Sequence, residues 1–294
     1  MNLFKFLGIF LISMTCVYAE VPEKQQWNRW TTENFSIHSI DDNKGQYLHD
    51  NLEKIKSWIV DRWGLNDFKF GKETIQTEAG PKEFSHVKLW CVNDDKTFLE
   101  FYGIKDSEVD VRRDDKNIIQ TIEVFLLLNE NFVKDVPIPL TEVVFTEFEQ
   151  VHDFQMGFWA HRGMGLLNGT IPQIKEQLVD LSAKLTNDKV IFLSKELLNV
   201  KKSEYLAFDD AKKTLFDQEA MVLCLLLRKE FGQDRFHYFL YKSFKLPEET
   251  LKVVYEFENY DQFDASFFRY AVELTNDVKS GKTPNQYLNI VGAK

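Results

Sequence analysis

The side chains that could do chemistry are concentrated in residues 141–165, TEVVFTEFEQVHDFQMGFWAHRGMG. Glu149 and His152 stand three residues apart, a spacing that places two metal-binding side chains on one face of a helix. His161 follows in the next segment and could approach them from a second helix. These three residues are candidate metal ligands, while Glu147, or Glu149 with His152, is the candidate for a hydrolytic site.

The position of Glu147 on its helix is the most informative one. Pro139 is typical of a first helical turn, and the spacing predicts a helix over residues 140–155. At about 100° per residue, Glu147 falls in an arc of apolar side chains that includes Val151. Such a carboxylate must be paired, have a raised pKa or line a cavity. It is therefore either a structural group held by an arginine or by backbone donors, or a functional carboxyl in a cleft. The polar side chains opposite it are Thr146, Gln150, Asp153, Glu142 and Glu149.

The elements that must position these residues differ between the two halves of the chain. NFSIHSI at 34–40, HVKLWCV and QTIEVFLLL, which ends at Asn129, predict strands, and DKTFLEFYGI predicts a short helix. A long helix with apolar residues spaced from Leu48 to Trp63 should end at Gly64. From Pro137 onward the pattern is almost wholly helical. The sequence therefore predicts an α+β fold with an N-terminal mixed sheet and a mainly helical C-terminal lobe.

The predicted organisation is a signal peptide over 1–19, an α+β lobe over 20–136 and a helical lobe over 137–294, the two lobes forming one compact unit. The chain has 294 residues, of which 44% are hydrophobic, enough to bury a large core. Its formal charge of −10 argues against a nucleic-acid partner. Cys91 and Cys224 lie in apolar stretches and are expected to be buried thiols, although an exported chain permits a disulfide between them. Asn34 and Asn168 begin Asn-x-Ser/Thr triplets that fit the glycosylation pattern.

The order of these segments resembles the gluzincin-type metallopeptidases, in particular the secreted, bacterial-type peptidase MA-like domains. The resemblance covers most of residues 30–275 and implies a zincin-like fold. In that family one helix carries His-Glu-x-x-His and the next carries Trp-x-x-Glu-Gly. The stretches that carry the resemblance are WTTENFSIHSIDD, KLWCVNDDKTFLEFYGI, LTEVVFTEFEQ, FWAHRGMGLLNG, FDQEAMVLCLLLRKEFGQDRFHYFL and VVYEFENYDQFDASFFRYAVEL.

The zinc ligands of that family are missing at the matching positions. Thr146 and Gln150 stand where the two histidines would be, and Arg162 stands where the glutamate ligand would be. Only Glu147, at the general-base position, keeps its residue type. Thr and Gln are poor zinc ligands, and Arg repels a cation. If the His-Glu-x-x-His motif is placed on residues 148–152 instead, only one of its two histidine positions holds a histidine. The comparison implies no zinc and no other cofactor, and we expect Arg162 to pair with Glu147.

Three classes of function follow. The missing ligands favour a peptidase-like protein without zinc-dependent catalysis that binds a protein or peptide in the former catalytic cleft. The second class is a hydrolase, most simply a peptidase, with a non-standard site at Glu147 or at Glu149 with His152. The third is an envelope protein that uses the fold as a scaffold. A retained cleft with an accessible Glu147 favours binding, whereas a cleft filled by Arg162 and Met164 favours the scaffold.

Residues 1–19 are typical of a cleaved secretory signal. Lys5 precedes an apolar run that is short for a membrane span, and Val17 and Ala19 occupy the two positions that favour small residues before a cut. No other segment is apolar enough to span a membrane. We expect a periplasmic or extracellular protein, with lipid anchoring through Cys16 as the alternative.

Expression with this leader in a secreting host should give a chain that begins at Glu20, because the cut is expected after the small residue Ala19. Intact-mass spectrometry of the exported protein measures the start. Cys16→Ser should leave both the mass and the yield unchanged. A product that retains residues 1–19, or one that carries acyl chains on Cys16, would contradict this prediction.

Overall fold

The structure is a computed structural model that describes residues 27–65, 68–77, 80–94, 96, 99, 107–186 and 192–282. The signal sequence and most of the short helix predicted from DKTFLEFYGI lie outside these residues. The strands are β1 Asn28–Thr31, β2 Ser36–Ser39, β3 Lys72–Thr77, β4 Gly80–Ser85, β5 Val87–Val92, β6 Glu108–Arg113 and β7 Ile119–Leu127. The helices are α1 Asp42–Trp63, α2 Phe132–Asp135, α3 Pro137–His152, α4 Phe158–Leu167, α5 Ile171–Thr186, α6 Ser194–Asn199, α7 Lys202–Leu206, α8 Asp210–Phe231, α9 Gln233–Ser243, α10 Pro247–Tyr255 and α11 Tyr260–Lys279.

The N-terminal half is built on a five-stranded mixed sheet in the order β1-β2-β5-β7-β6. The pairs β2–β5 and β5–β7 are parallel, while the edge strands β1 and β6 are antiparallel to their neighbours. The central strands β5 and β7 are rich in apolar residues, as expected where both faces of a sheet are covered. β3 and β4 form a separate hairpin. With the helices that follow, this architecture confirms the predicted α+β fold.

Helix α1 forms where the apolar spacing predicted it. Asp41 caps its start, since its side chain accepts a hydrogen bond from the Lys44 N–H at 2.9 Å. Leu48, Leu52 and other apolar residues of one face are buried against the sheet and α3. The helix ends at Gly64, whose φ of 64° is left-handed and suits a glycine.

Helix α3 begins and ends earlier than predicted. The predicted span was 140–155, and the structure gives Pro137–His152. Asp153 terminates the helix because it adopts a left-handed backbone with φ 49°, and its N–H bonds to the carbonyl of Glu149. The apolar Phe154 continues the helical spacing in the sequence, but it packs instead against Tyr241, with ring centroids 4.2 Å apart.

The helical half packs around α3, α4 and α8. A Cβ on Gly163 would lie 2.3 Å from the carbonyl oxygen of Ala220 and 2.7 Å from Sγ of Cys224, so the glycine allows α4 and α8 to approach. Buried apolar residues from both halves of the chain form one cluster. Cys91 and Cys224 are buried and unpaired, as expected. Among the described residues, no helix combines the length and apolar character that a membrane crossing needs.

Both asparagines of the glycosylation triplets are buried and hydrogen-bonded. The amide of Asn168 donates to Thr141 Oγ1 at 2.6 Å and accepts from Trp63 Nε1 at 3.2 Å, which connects α1, α3 and the end of α4. Asn34 donates to Glu53 and accepts from the Phe70 N–H. Neither side chain is accessible in the folded protein, because both are almost completely buried.

Candidate functional site

A cleft of about 390 Å³ lies between the edge strand β6, the helices α3 and α4, and the segment that joins α6 to α7. Three residues of α3 line it, Glu142, Thr146 and Glu149, which recur at helical spacing on one side of the helix. His161 of α4 lies beside them. The polar side of α3 that the sequence predicted therefore faces a cavity.

Glu147 lies on another side of α3 and is only 1% exposed. Its Oε1 is hydrogen-bonded to Nε2 of His86, and its Oε2 accepts from the Gly71 N–H at 3.1 Å. Gly71 precedes β3 and His86 follows β4, so Glu147 fastens the base of the hairpin to α3. The expectation of a buried, partnered carboxylate is confirmed. Glu147 does not line the cleft.

Arg162 pairs with Asp217, and the expected pair with Glu147 is wrong. Nε of Arg162 donates to Oδ1 of Asp217 at 2.8 Å, and a second N–H donates to Oδ2 at 2.5 Å. Tyr205 donates its hydroxyl to the same Oδ2 at 3.0 Å. Burial alone would lower the pKa of Arg162, but the charge and hydrogen bonds of Asp217 raise it above its ordinary value. This pair ties α4 to α8, and neither Arg162 nor the buried Met164 fills the cleft.

Two of the three candidate metal ligands meet in the cleft. Oε1 of Glu149 lies 3.0 Å from Nε2 of His161 and also accepts the Met156 N–H at 2.5 Å. His152 is exposed, and its ring packs on Phe148 with centroids 4.3 Å apart. Over the described part of the chain, no group of three His, Cys, Asp or Glu side chains has the arrangement of a metal site.

The positions that correspond to zinc ligands do not fit a zinc ion. Thr146 lines the cleft, but Arg162 is directed to Asp217. Oε1 of Gln150 accepts from Arg113 and from the Ile119 N–H, each at 3.1 Å, which fixes the side chain against the sheet. The three side chains therefore serve separate contacts and do not form one donor set. We derive no catalytic step through a metal here.

The two carboxylates of α3 that line the cleft, Glu142 and Glu149, are paired within it. Burial by itself lowers the pKa of His161, but the charge of Glu149, its hydrogen bond and the charge of Glu142 outweigh burial and raise it. Burial raises the pKa of Glu142, and Lys202 with His161 more than offsets this, so the net shift is downward. Lys202 makes the closest contact, 2.9 Å to Oε1 of Glu142. The cleft therefore contains two opposite-charge pairs.

Sequence patterns did not identify His86, Asp217 or Lys202 as partners, because each lies far along the chain from the carboxylate or arginine that it contacts. No protein-family model matches this chain, and a comparison with curated proteins also finds no match. The function is therefore argued from the geometry of the cleft.

Double-mutant cycles should separate the two buried pairs. Arg162→Met with Asp217→Asn should show a coupling free energy of roughly 0.5–3 kcal/mol, because the two side chains contact each other directly. Arg162→Met with Glu147→Gln should be additive within about 0.5 kcal/mol, since they share no partner. Urea unfolding measures the free energy of unfolding of each variant. The cycle of Glu147→Gln with His86→Gln is the positive control, because these two side chains are in direct contact. Coupling of Arg162 to Glu147 rather than to Asp217 would contradict the structure.

The Glu149–His161 pair should make stability depend on pH. The folded-state pKa of His161 is raised above its ordinary value of 6.5. The stability that protonated His161 contributes is therefore complete below pH 6.5. It is lost as the pH rises through the raised pKa of the folded state. The Tm advantage of the parent over His161→Gln should accordingly be largest under acidic conditions and shrink with rising pH. Thermal melts across a pH series measure this, with His152→Gln as the exposed control. An advantage that grew with pH would exclude the raised pKa.

Proposed function

We propose that this chain is an exported, peptidase-like protein that binds an extended protein or peptide segment in the cleft beside β6, without zinc-dependent catalysis. The observation that carries the proposal is that, among the described residues, β6 is an edge strand of the sheet and its residues Asp110, Val111 and Arg113 line the cleft. An extended segment can add to such an edge through main-chain hydrogen bonds. The proposal of export is based on residues 1–19, which are typical of a secretory signal. The proposal of a peptidase-like character is based on the sequence resemblance.

The register of the sheet indicates which main-chain groups face the incoming segment. In an antiparallel pair, successive residues direct their N–H and C=O alternately toward the partner strand and away from it. Ile122 donates its N–H to the carbonyl of His86, on the opposite side of β7 from β6. Its partner Val111 therefore directs both main-chain groups to the open edge. Val109 has the same orientation, and Lys202 donates to its carbonyl oxygen.

The cleft has the dimensions and lining of a binding site. Its volume of about 390 Å³ lies within the range of roughly 300–1,000 Å³ that is usual for ligand pockets. Val111, Phe158 and Val200 supply apolar lining, while Thr146 and His161 supply polar groups. A strand added to β6 would direct alternate side chains toward this lining.

The contacts of the carboxylates favour binding over hydrolysis. Glu147 is held by His86 on the hairpin side of α3, away from the cleft. Glu149 already accepts hydrogen bonds from His161 and from Met156, and Glu142 is paired with Lys202. These carboxylates are engaged with the protein itself. If the cleft does catalyse hydrolysis, Glu149 with His161 is the better candidate than Glu147 or His152, because these two share the cleft.

Selection of a phage-displayed library of random linear peptides on the purified chain tests strand addition. Selected peptides should bind Val111→Pro at least about tenfold more weakly, which corresponds to about 1.4 kcal/mol. Proline removes an N–H that is directed outward and leaves the β6–β7 hydrogen bonds in place. Val111→Thr, which keeps the N–H and the side-chain shape, should retain binding, and melting curves verify that both variants fold.

The same peptides test for catalysis. Incubated with the chain, with and without added zinc, they should remain intact by mass spectrometry. Cleavage that disappears in Glu149→Gln would establish the hydrolase instead. Failure to enrich any peptide, or equal affinity for the parent and the proline variant, would refute strand addition.

A further inference from the structure

The cleft continues past Arg113 into a second groove of about 720 Å³. Four residues line both spaces, namely Arg113, Glu149, Gln155 and Phe244. The second space lies between the loop that joins β6 to β7, the end of α3 and the end of α9. We call it the basic groove because its lining includes Arg113, Lys116, Lys242 and Lys245.

The basic groove is lined by four cationic and two acidic side chains. In the part of the chain that the structure describes, none of these four side chains forms an ion pair with a carboxylate. Within the described residues, the guanidinium of Arg113 donates to two neutral oxygens, the carbonyl of Asn117 and the amide of Gln150. Two carboxylates line the groove, and Glu149 is already bonded to His161. Four cations converging in a chain of net charge −10 indicate an anionic ligand.

Apolar side chains stand exposed beside these cations. Phe244 is 47% exposed and Leu246 is 53% exposed, and both line the groove. Tyr241 is also exposed, and its ring packs against that of Phe154. Exposed aromatic and aliphatic groups next to unpaired cations are the composition of a surface that binds a partner.

We infer that the basic groove binds the acidic, apolar-containing continuation of the segment that adds to β6. This inference rests on the proposed function, because the main chain must pass from Val111 beyond Arg113 to enter the groove. Asp and Glu side chains of the ligand then meet Lys116, Lys242 and Lys245, and its apolar side chains meet Tyr241, Phe244 and Leu246. Continuity with an open strand edge favours a peptide over a nucleic acid, as does the overall negative charge.

Peptides selected from the random library should be enriched in Asp and Glu beside apolar residues. Each is then synthesised with a fluorescein label, together with a twin in which Asn replaces Asp and Gln replaces Glu. By fluorescence anisotropy, the twin should bind at least about tenfold more weakly, and added salt should weaken the acidic peptide more than the twin.

Charge variants identify the groove as the origin of this preference. Lys116→Gln with Lys245→Gln should weaken the acidic peptide and leave its twin unchanged, since both side chains are exposed and neither forms an ion pair with another described residue. Lys134→Gln with Lys279→Gln makes the same change of charge at exposed positions outside both spaces and should change neither affinity.

The outcomes separate the two proposals. Equal affinity for both peptides, lost in Val111→Pro, would overturn the basic groove and leave strand addition standing. Binding that is insensitive to Val111→Pro would refute the proposed function itself. Displacement of the acidic peptide by polyuridylate at equal affinity would reassign the groove to polyanions in general. Dimerisation abolished by the Lys116 and Lys245 changes would reassign it to a second copy of this chain.

Discussion

The need to satisfy two buried carboxylates determines the arrangement around α3. Glu147 and Glu149 are both enclosed on this central helix. A carboxylate buried without partners is costly, by several kcal/mol. Both are satisfied in the same way, by one histidine and one main-chain N–H. For Glu147 these are His86 and the N–H of Gly71, and for Glu149 they are His161 and the N–H of Met156. One carboxylate secures the hairpin to α3, and the other secures α4.

These attachments make the floor of the cleft rigid while leaving one wall open. Helix α4 is held to α3 by the Glu149–His161 contact, and to α8 by the pair of Arg162 with Asp217 and by close packing at Gly163. Strand β6, in contrast, pairs with a neighbouring strand on one edge only among the described residues, and Lys202 contacts its other edge at Val109. A binding surface that is already ordered loses less conformational entropy when a ligand arrives. The open edge of β6 beside fixed helices therefore suits recognition of an extended chain.

Sequence periodicity predicted the helices and strands better than it predicted which of them pack against each other. The apolar spacing located α1 and the central strands, and a helical projection placed Glu147 on a buried side of α3. The same projection put Val151 in the apolar arc, yet it is 53% exposed. It also put Glu149 on the polar side, where α4 covers it. Angle around a helix follows from local geometry, whereas the element that covers each side depends on tertiary packing. The partner of Glu147, for example, is His86, which is 61 residues away.

The direct contact between Glu149 and His161 limits what the cleft can do. In the metallopeptidases that the sequence resembles, a metal joins the two helices and keeps a coordination position open for water or substrate. Here the helices are joined by the side chains themselves, and Oε1 of Glu149 is used by two donors. A peptide added to β6 as proposed would therefore meet the main-chain groups of β6 and a cleft in which Glu142 and Glu149 are already paired. The proposed site would hold a peptide by its backbone, and the two α3 carboxylates that line it, Glu142 and Glu149, are bonded to protein groups rather than to a water or a peptide carbonyl. The contact between Glu149 and His161, which holds α4 in place, thus supports the proposal of peptide binding over that of catalysis.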